Sequence, residues 1–445
     1  MSKHYDIAIV GSSLAAQISA ALLVKQGGRV LFLSETGMKA PTWFHSSLFL
    51  EKILGVLGGR SCFMAQRPIQ IVSENSRLTV SNDISLDKEL QREFGSSGPA
   101  ISHWVAGLQE QGQRLEELFL DNGGLLWPSF KAKARFKMLC VRNRVNLSVL
   151  ERPIADQLSG FADLPRAFLT DLLQGLALTP VDNLSTARAA ILWAQAQRPE
   201  NVRGAEFSQT LEKRFDQFHG ARAPLENMKP FEFDGSQWTG GQLVSGGRFS
   251  ADNFLLGDQR LAGLFAAGEP VQLPSSPVRA AWQTDNLAGQ LSGLLGTRVI
   301  CGGRLPVRLA IEQADEQLLG LVHSTEDATA DEIRNQLEPV LPFAEYRLDA
   351  LGREQESSPQ VKHQESMLLA GLPLRAGRNL YWADNTILLP EMDGAGAALL
   401  AWTIFANLGR GPKACLLYTS PSPRDLRQDL VCRLRLEQAR GGGGG

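Results

Sequence analysis

Residues Tyr5 to Glu35, YDIAIVGSSLAAQISAALLVKQGGRVLFLSE, leave the chain few folds to choose from. Ile7 to Val10 form an apolar run that stops at Gly11, and Leu14, Ile18, Ala21 and Leu22 then recur at helical spacing. A strand buried on both faces that turns directly into a helix produces this pattern. After the Gly27-Gly28 break a second apolar run, Val30 to Leu33, completes a strand–helix–strand unit. The right-handed crossover of such a unit lays its two strands parallel, which predicts an α/β chain built on a parallel sheet.

The turn from first strand to helix is also where chemistry is expected. Backbone N–H groups left free at a helix start, together with the helix dipole, favour a diphosphate. The pattern that suits a dinucleotide is GxGxxG or GxGxxA, and this chain offers Gly11, Ser13 and Ala16, with Ser12 and Leu14 supplying the intervening backbone. Ala16 still permits close helix–strand packing. Ser13 stands where a glycine normally lets the backbone approach the phosphates, so its side chain either crowds the ligand or donates its hydroxyl to a phosphate oxygen. Crowding is the favoured expectation. The acidic residue that holds a ribose falls where Ser34 stands, and Glu35 is one place late, starting on the opposite face of the strand.

Composition narrows the class. At 445 residues the chain has room for two or three domains of about 100–200 residues each. It is 43% hydrophobic and 21% charged, as ordinary globular proteins are. A formal net charge of -2 gives no electrostatic reason to expect a nucleic-acid partner. The most apolar stretch, Gly394 to Gly409, is too short to span a bilayer, and MSKHYD runs straight into a strand, so no secretory leader is expected. Cys62, Cys140, Cys301, Cys415 and Cys432 form no CxxC pair and are read as reduced thiols of a cytoplasmic protein. The histidines show no metal-ligand spacing, so no metal site is expected.

Near the other end, NLYWADNTILLPEMDGAGAALLAWTIFANL, Asn379 to Leu408, reads as a strand ending at Asp384, a proline-containing loop and a helix opening at Gly394-Ala395-Gly396. This text resembles the terminal segment of FAD-dependent oxidoreductases of the flavin amine oxidase and phytoene desaturase type, as a divergent member with Ala383 where that family usually has glycine. The resemblance implies that Asp384 contacts the ribityl and diphosphate portion of FAD. It also implies that Gly394, Ala395 and Gly396 turn backbone N–H groups toward the isoalloxazine. A helix start there favours the negative charge of a reduced flavin. The intervening chain is similar to the family in order of parts. Arg67 to Gly95 resembles a hairpin and helix, and Ser185 to Gln197 and Phe207 to Ala223 resemble helices. Gly246 to Gly257 resembles the strand that re-enters the FAD sheet, and Val307 to Pro342 the late strands and helix of a substrate domain.

The implied architecture is a Rossmann-like FAD/NAD(P)-binding domain, residues 1–66, 205–260 and 376–411, with a discontinuous α+β substrate domain, residues 67–204 and 261–375. LAGLFAAGE at Leu261 to Glu269 also resembles a terminal flavin motif but comes too early, and Gly58-Gly59-Arg60 sits too far from the second strand to be the family's phosphate loop. No catalytic side chain is identified. His103, Trp104, Trp127, Trp193, His219 and Trp282 are candidate pocket residues that read more readily as core. After Gly411 the text changes: CLLYTSPSPRD resembles read-through into a sequencing adapter, and residues 412–445 are expected to be a non-native tail. The expected function is an FAD-dependent oxidoreductase acting on a largely apolar small molecule. The alternatives are a scaffold that keeps the fold with weak or no cofactor binding, for which Ser13 and Ser34 speak, and an enzyme using NAD(P) alone, for which Asp384 and the Gly394 helix would have no purpose.

Overall fold

The computed structural model describes residues 3–34, 43–73, 76–81, 83–127, 129–177, 179–226, 228–265, 279–284, 298–301, 307–312, 317–323, 330–338, 348–350, 372, 374–389 and 392–409. The opening stretch folds as its pattern dictates: a strand at Lys3–Val10, a helix at Leu14–Lys25 and a strand at Val30–Ser34. Ser13 caps the helix, and ten of its residues, from Leu14 to Val24, are buried on all sides. An apolar surface this complete needs neighbours all round. The closing helix Asp393–Leu408, the helix Gly204–Gln217 and the helix Leu48–Leu57 provide them.

The first strand lies parallel between Val30–Ser34 and Arg248–Leu256. Ala221–Pro224 continues the sheet on one side and Leu380–Trp382 on the other, both parallel. Trp238–Gln242 and Glu232–Phe233 add an antiparallel edge. The register sets Val10 beside both Leu33 and Leu256, and Leu256 beside Trp382. Four strands therefore end along one carboxyl edge. The chain leaves the first strand toward one side of the sheet and later returns on the other. That reversal makes the strand ends a topological switch point, where open α/β sheets bind ligands in a crevice.

A second sheet joins Ile69–Val72 and Arg77–Val80 to the later strands Arg279–Thr284, Arg298–Cys301, Val307–Glu312, Gln317–His323 and Leu348–Ala350. Arg298–Cys301 runs parallel to Ile69–Val72, which ties the late segment to the early one. A three-stranded sheet of Trp43–His45, Glu200–Arg203 and Phe63–Ala65 lies apart from these two. The expected segments fold as read. The hairpin and helix of Arg67–Gly95, the helices Thr186–Ala196 and Gly204–Gln217, and the strands and helix of Val307–Leu337 are present. Gly58 ends the Leu48–Leu57 helix with φ +74, so the GGR stretch is a helix terminus. The tail 412–445 lies outside the described residues.

Candidate functional site

The carboxyl edge collects three segments that are far apart in sequence. Gly11 leaves the first strand with φ +104, a left-handed conformation that favours glycine. Its backbone presses on the loop after Arg248–Leu256: a Cβ on Gly11 would stand 2.7 Å from the Asp258 nitrogen and 2.8 Å from Gly257 C. The Ser13 N–H donates to the Gly257 carbonyl at 3.2 Å. The third segment is the end of Leu380–Trp382, where Ala383 and Asp384 are buried.

Ser13 connects these parts. Its φ of -55 and ψ of 154 are ordinary extended values, so this turn makes no demand for glycine. The hydroxyl donates to the Ala383 carbonyl at 2.5 Å and accepts from the Ala16 N–H at 3.2 Å. The side chain thus ties the first turn to the last strand. The Asn385 Oδ1 accepts from the Ala15 N–H at 3.2 Å, and the Asp384 carboxylate accepts from the Gln259 N–H at 3.2 Å. Two N–H groups of the opening helix's first turn are therefore satisfied by the chain's own side chains. Ser12 is half-buried in the turn, and its carbonyl accepts from the Gln17 amide at 3.0 Å; Leu14 and Ala16 are buried behind it. Ser34 ends its strand half-buried beside Pro224. Glu35 lies outside the described residues.

The closing helix begins at Asp393, with Gly394, Ala395 and Gly396 buried in its first turn. Each glycine faces protein. A Cβ on Gly394 would stand 2.2 Å from Cδ2 of Phe44, and one on Gly396 would stand 2.9 Å from the Cβ atoms of Leu389 and Met392. Phe44 is fully buried and meets Phe207 edge-on with centroids 5.6 Å apart. Asp393 has φ +44 and pairs with Arg308 of the second sheet, whose Nη2 lies 3.1 Å and 3.2 Å from its two carboxylate oxygens. The Arg308 side chain is 4% exposed and its Nε has no hydrogen-bond partner. The second sheet thus reaches the helix start through a buried cation.

Sequence reading placed Gly11, Ser12, Ser13, Leu14, Ala16, Ser34, Asp384, Gly394, Ala395 and Gly396 near a cofactor. The structure brings the first turn, Asp384 and the closing helix to one edge. It adds Asn385 and Asp393, direct neighbours of expected residues, and Phe44 and Arg308, which carry no local signal. The candidate pocket residues are spread through the chain. Trp193 is buried with Nε1 donating to the Val105 carbonyl at 2.9 Å, Trp104 meets Phe161, and His103 and His219 are exposed. Trp127 packs at a tilt against Tyr381 with centroids 5.0 Å apart, and the Trp282 side chain lies outside the described residues. Among the described residues, no cluster of three or more metal-ligating side chains occurs, and no helix is long and apolar enough to cross a membrane.

Neither a protein-family model nor a curated protein sequence matches this chain. Solved structures do. Putrescine oxidase bound to putrescine is 12% identical with a TM-score of 0.55, the match covering 91% of this chain and 99% of that one. Rab GDI from Plasmodium falciparum is 12% identical with a TM-score of 0.54, covering 92% and 100%. Cyclohexylamine oxidase from Brevibacterium oxydans is 13% identical with a TM-score of 0.51, covering 91% and 98%. The likeness spans nearly the full length of each partner at very low identity. The chain therefore carries the mixed α/β, Rossmann-like fold that these structures share, as a divergent example of it.

Proposed function

We propose that the chain is an FAD-dependent oxidoreductase, an oxidase or a dehydrogenase/desaturase, acting on a largely apolar small molecule in the cytoplasm. The observation that carries this reading is the convergence of Gly11, Asp384 and the Asp393–Leu408 helix start on the crevice where the parallel strands end. The first turn fits the diphosphate half of the cofactor: Gly11 has the conformation needed for close approach, and the helix dipole favours an anion. Ser12 and Leu14 would hold that half through the backbone beside the Ser13 side chain, and Asp384 would face the ribityl chain. Bound there, FAD would supply the redox chemistry. The chain's own contribution is to hold and orient the group and to keep water away, for which buried Phe207 and Trp43 are suited. In this reading residues 1–66, 205–260 and 376–411 form the cofactor domain, and 67–204 and 261–375 the substrate domain. The names of two structural neighbours put amines first among substrates to try.

Phe44 favours a second reading. Its ring packs against Gly394 in the first turn of the closing helix, and Ser13 and Asn385 already satisfy N–H groups of the opening helix. Both features suit a scaffold that keeps the fold with weak or no cofactor binding. Rab GDI, whose name carries no redox reaction, has a comparable likeness to the chain. The visible spectrum of the purified full chain separates the two readings. Bound flavin whose absorbance bleaches anaerobically on addition of an amine supports the enzyme. A colourless protein that ignores added FAD overturns it in favour of the scaffold.

A further inference from the structure

The helix Phe130–Arg142 has two apolar faces. One packs inward, with Phe136, Leu139 and Cys140 buried and the Phe136 ring stacked on Phe119, centroids 5.7 Å apart and 15° from parallel. At about 100° per residue, Phe130, Ala134, Met138 and Val141 fall within an arc of roughly 80° on the opposite side. All four are exposed, Phe130 at 87%, Val141 at 81% and Met138 at 65%. Exposed apolar side chains normally scatter singly, so a row of them on one helix marks a contact surface.

Cations flank this row on both sides. Lys133 and Lys137 lie along one border, and Lys131, Arg135 and Arg142 along the other. From Asn122 to Leu150 the chain has no aspartate or glutamate, while Lys131, Lys133, Arg135, Lys137, Arg142 and Arg144 concentrate positive charge in a protein of formal net charge -2. The nearest acidic residues in sequence, Asp121 and Glu151, only bracket the stretch. The Arg135 guanidinium donates to the Asp121 carbonyl at 2.8 Å, which leaves its charge uncompensated by that contact.

We infer that this helix docks the protein on an anionic phospholipid surface. Its outer apolar row enters the headgroup boundary, and the flanking lysines and arginines meet lipid phosphates. A nucleic acid would use the cations but offer little to Phe130, Met138 and Val141. An apolar groove on a protein would take the row without needing cations on both borders. A lipid interface uses both features at once. The helix follows Trp127, whose ring packs on Tyr381 in the strand that leads to Asp384. The inference stands on the helix surface alone and does not depend on flavin binding.

The test is co-sedimentation of the full chain with vesicles of phosphatidylcholine, alone or mixed with phosphatidylglycerol. The wild-type protein is expected to sediment with the mixed vesicles, less so at high salt, and not with phosphatidylcholine alone. Phe130→Ser/Met138→Ser/Val141→Ser is expected to weaken partitioning about tenfold or more, and Lys131→Glu/Lys133→Glu/Lys137→Glu to do the same. Because these side chains are exposed, the thermal melt of both variants should match wild type, which separates lost docking from lost folding. Absence of binding to the mixed vesicles, or equal binding by wild type and both variants, overturns the inference. So does a dimer in light scattering that the serine variant splits, which would assign the face to a second copy of the chain.

Discussion

Ser13→Ala removes the side chain that joins the two ends of the chain at the crevice. The hydroxyl makes two hydrogen bonds, one received from the Ala16 N–H and one donated to the Ala383 carbonyl. Loss of a helix N-cap costs about 1 kcal/mol. Ala383 is fully buried, and a buried carbonyl left without a partner costs about 1–3 kcal/mol more. The expected total is about 2–4 kcal/mol. Ser13→Gly should be milder, about 1–3 kcal/mol, because glycine is itself a tolerable cap. Sequence reasoning addresses a different quantity, a gain in cofactor affinity in Ser13→Gly as crowding of the phosphate is relieved. The φ of -55 at Ser13 removes only a backbone demand for glycine and leaves that expectation to FAD titration. Urea unfolding followed by tryptophan fluorescence reads the change directly. A loss below about 0.5 kcal/mol in Ser13→Ala would refute the role assigned to the hydroxyl.

Gly11→Ala should destabilise by about 3 kcal/mol, since the new methyl meets backbone at 2.7–2.8 Å in a residue with φ +104; an unchanged melting temperature would contradict this. Asp393→Ala should cost more than Arg308→Met, because the former takes the carboxylate from a guanidinium that is 4% exposed whereas the latter takes the guanidinium from a carboxylate that is 24% exposed. Denaturant midpoints of the two variants in the opposite order would refute that account of the pair. Burial pushes the Glu116 carboxyl above the usual 4.5, with Arg198 and Gln195 pulling it partly back. The folded state then holds this proton more tightly than the unfolded chain. Its stabilising contribution is complete below 4.5 and is lost as pH rises through the raised folded value. Glu116→Gln should flatten that part of the stability–pH curve, and identical curves for variant and wild type would count against it.

The opening unit is legible because its signals are local: Ile7 to Val10, Gly11 and the helical spacing after it dictate strand, turn and helix within a few residues. The same holds for Asp384 and for the Gly394 helix. What sequence does not disclose depends on contacts between segments far apart in the chain. Nothing near Ser13 announces that its hydroxyl meets Ala383, 370 residues away, and nothing near Phe44 announces that its ring will cover Gly394. Asn385 and Asp393 stand beside expected residues, yet their partners, Ala15 and Arg308, are set by how the opening helix and the second sheet pack on the closing helix. The lipid-facing row had a local signature in its four-residue spacing and acid-free flanks. Reading it required knowing which of the helix's two apolar faces the core takes.

FAD titrated into the full chain and followed by flavin fluorescence tests the central claim most directly, with ADP as competitor and Phe44→Ala in parallel. The account predicts saturable one-to-one binding that ADP displaces through the diphosphate half, and tighter binding once Phe44 no longer covers Gly394. Failure of both wild type and Phe44→Ala to bind FAD would contradict it.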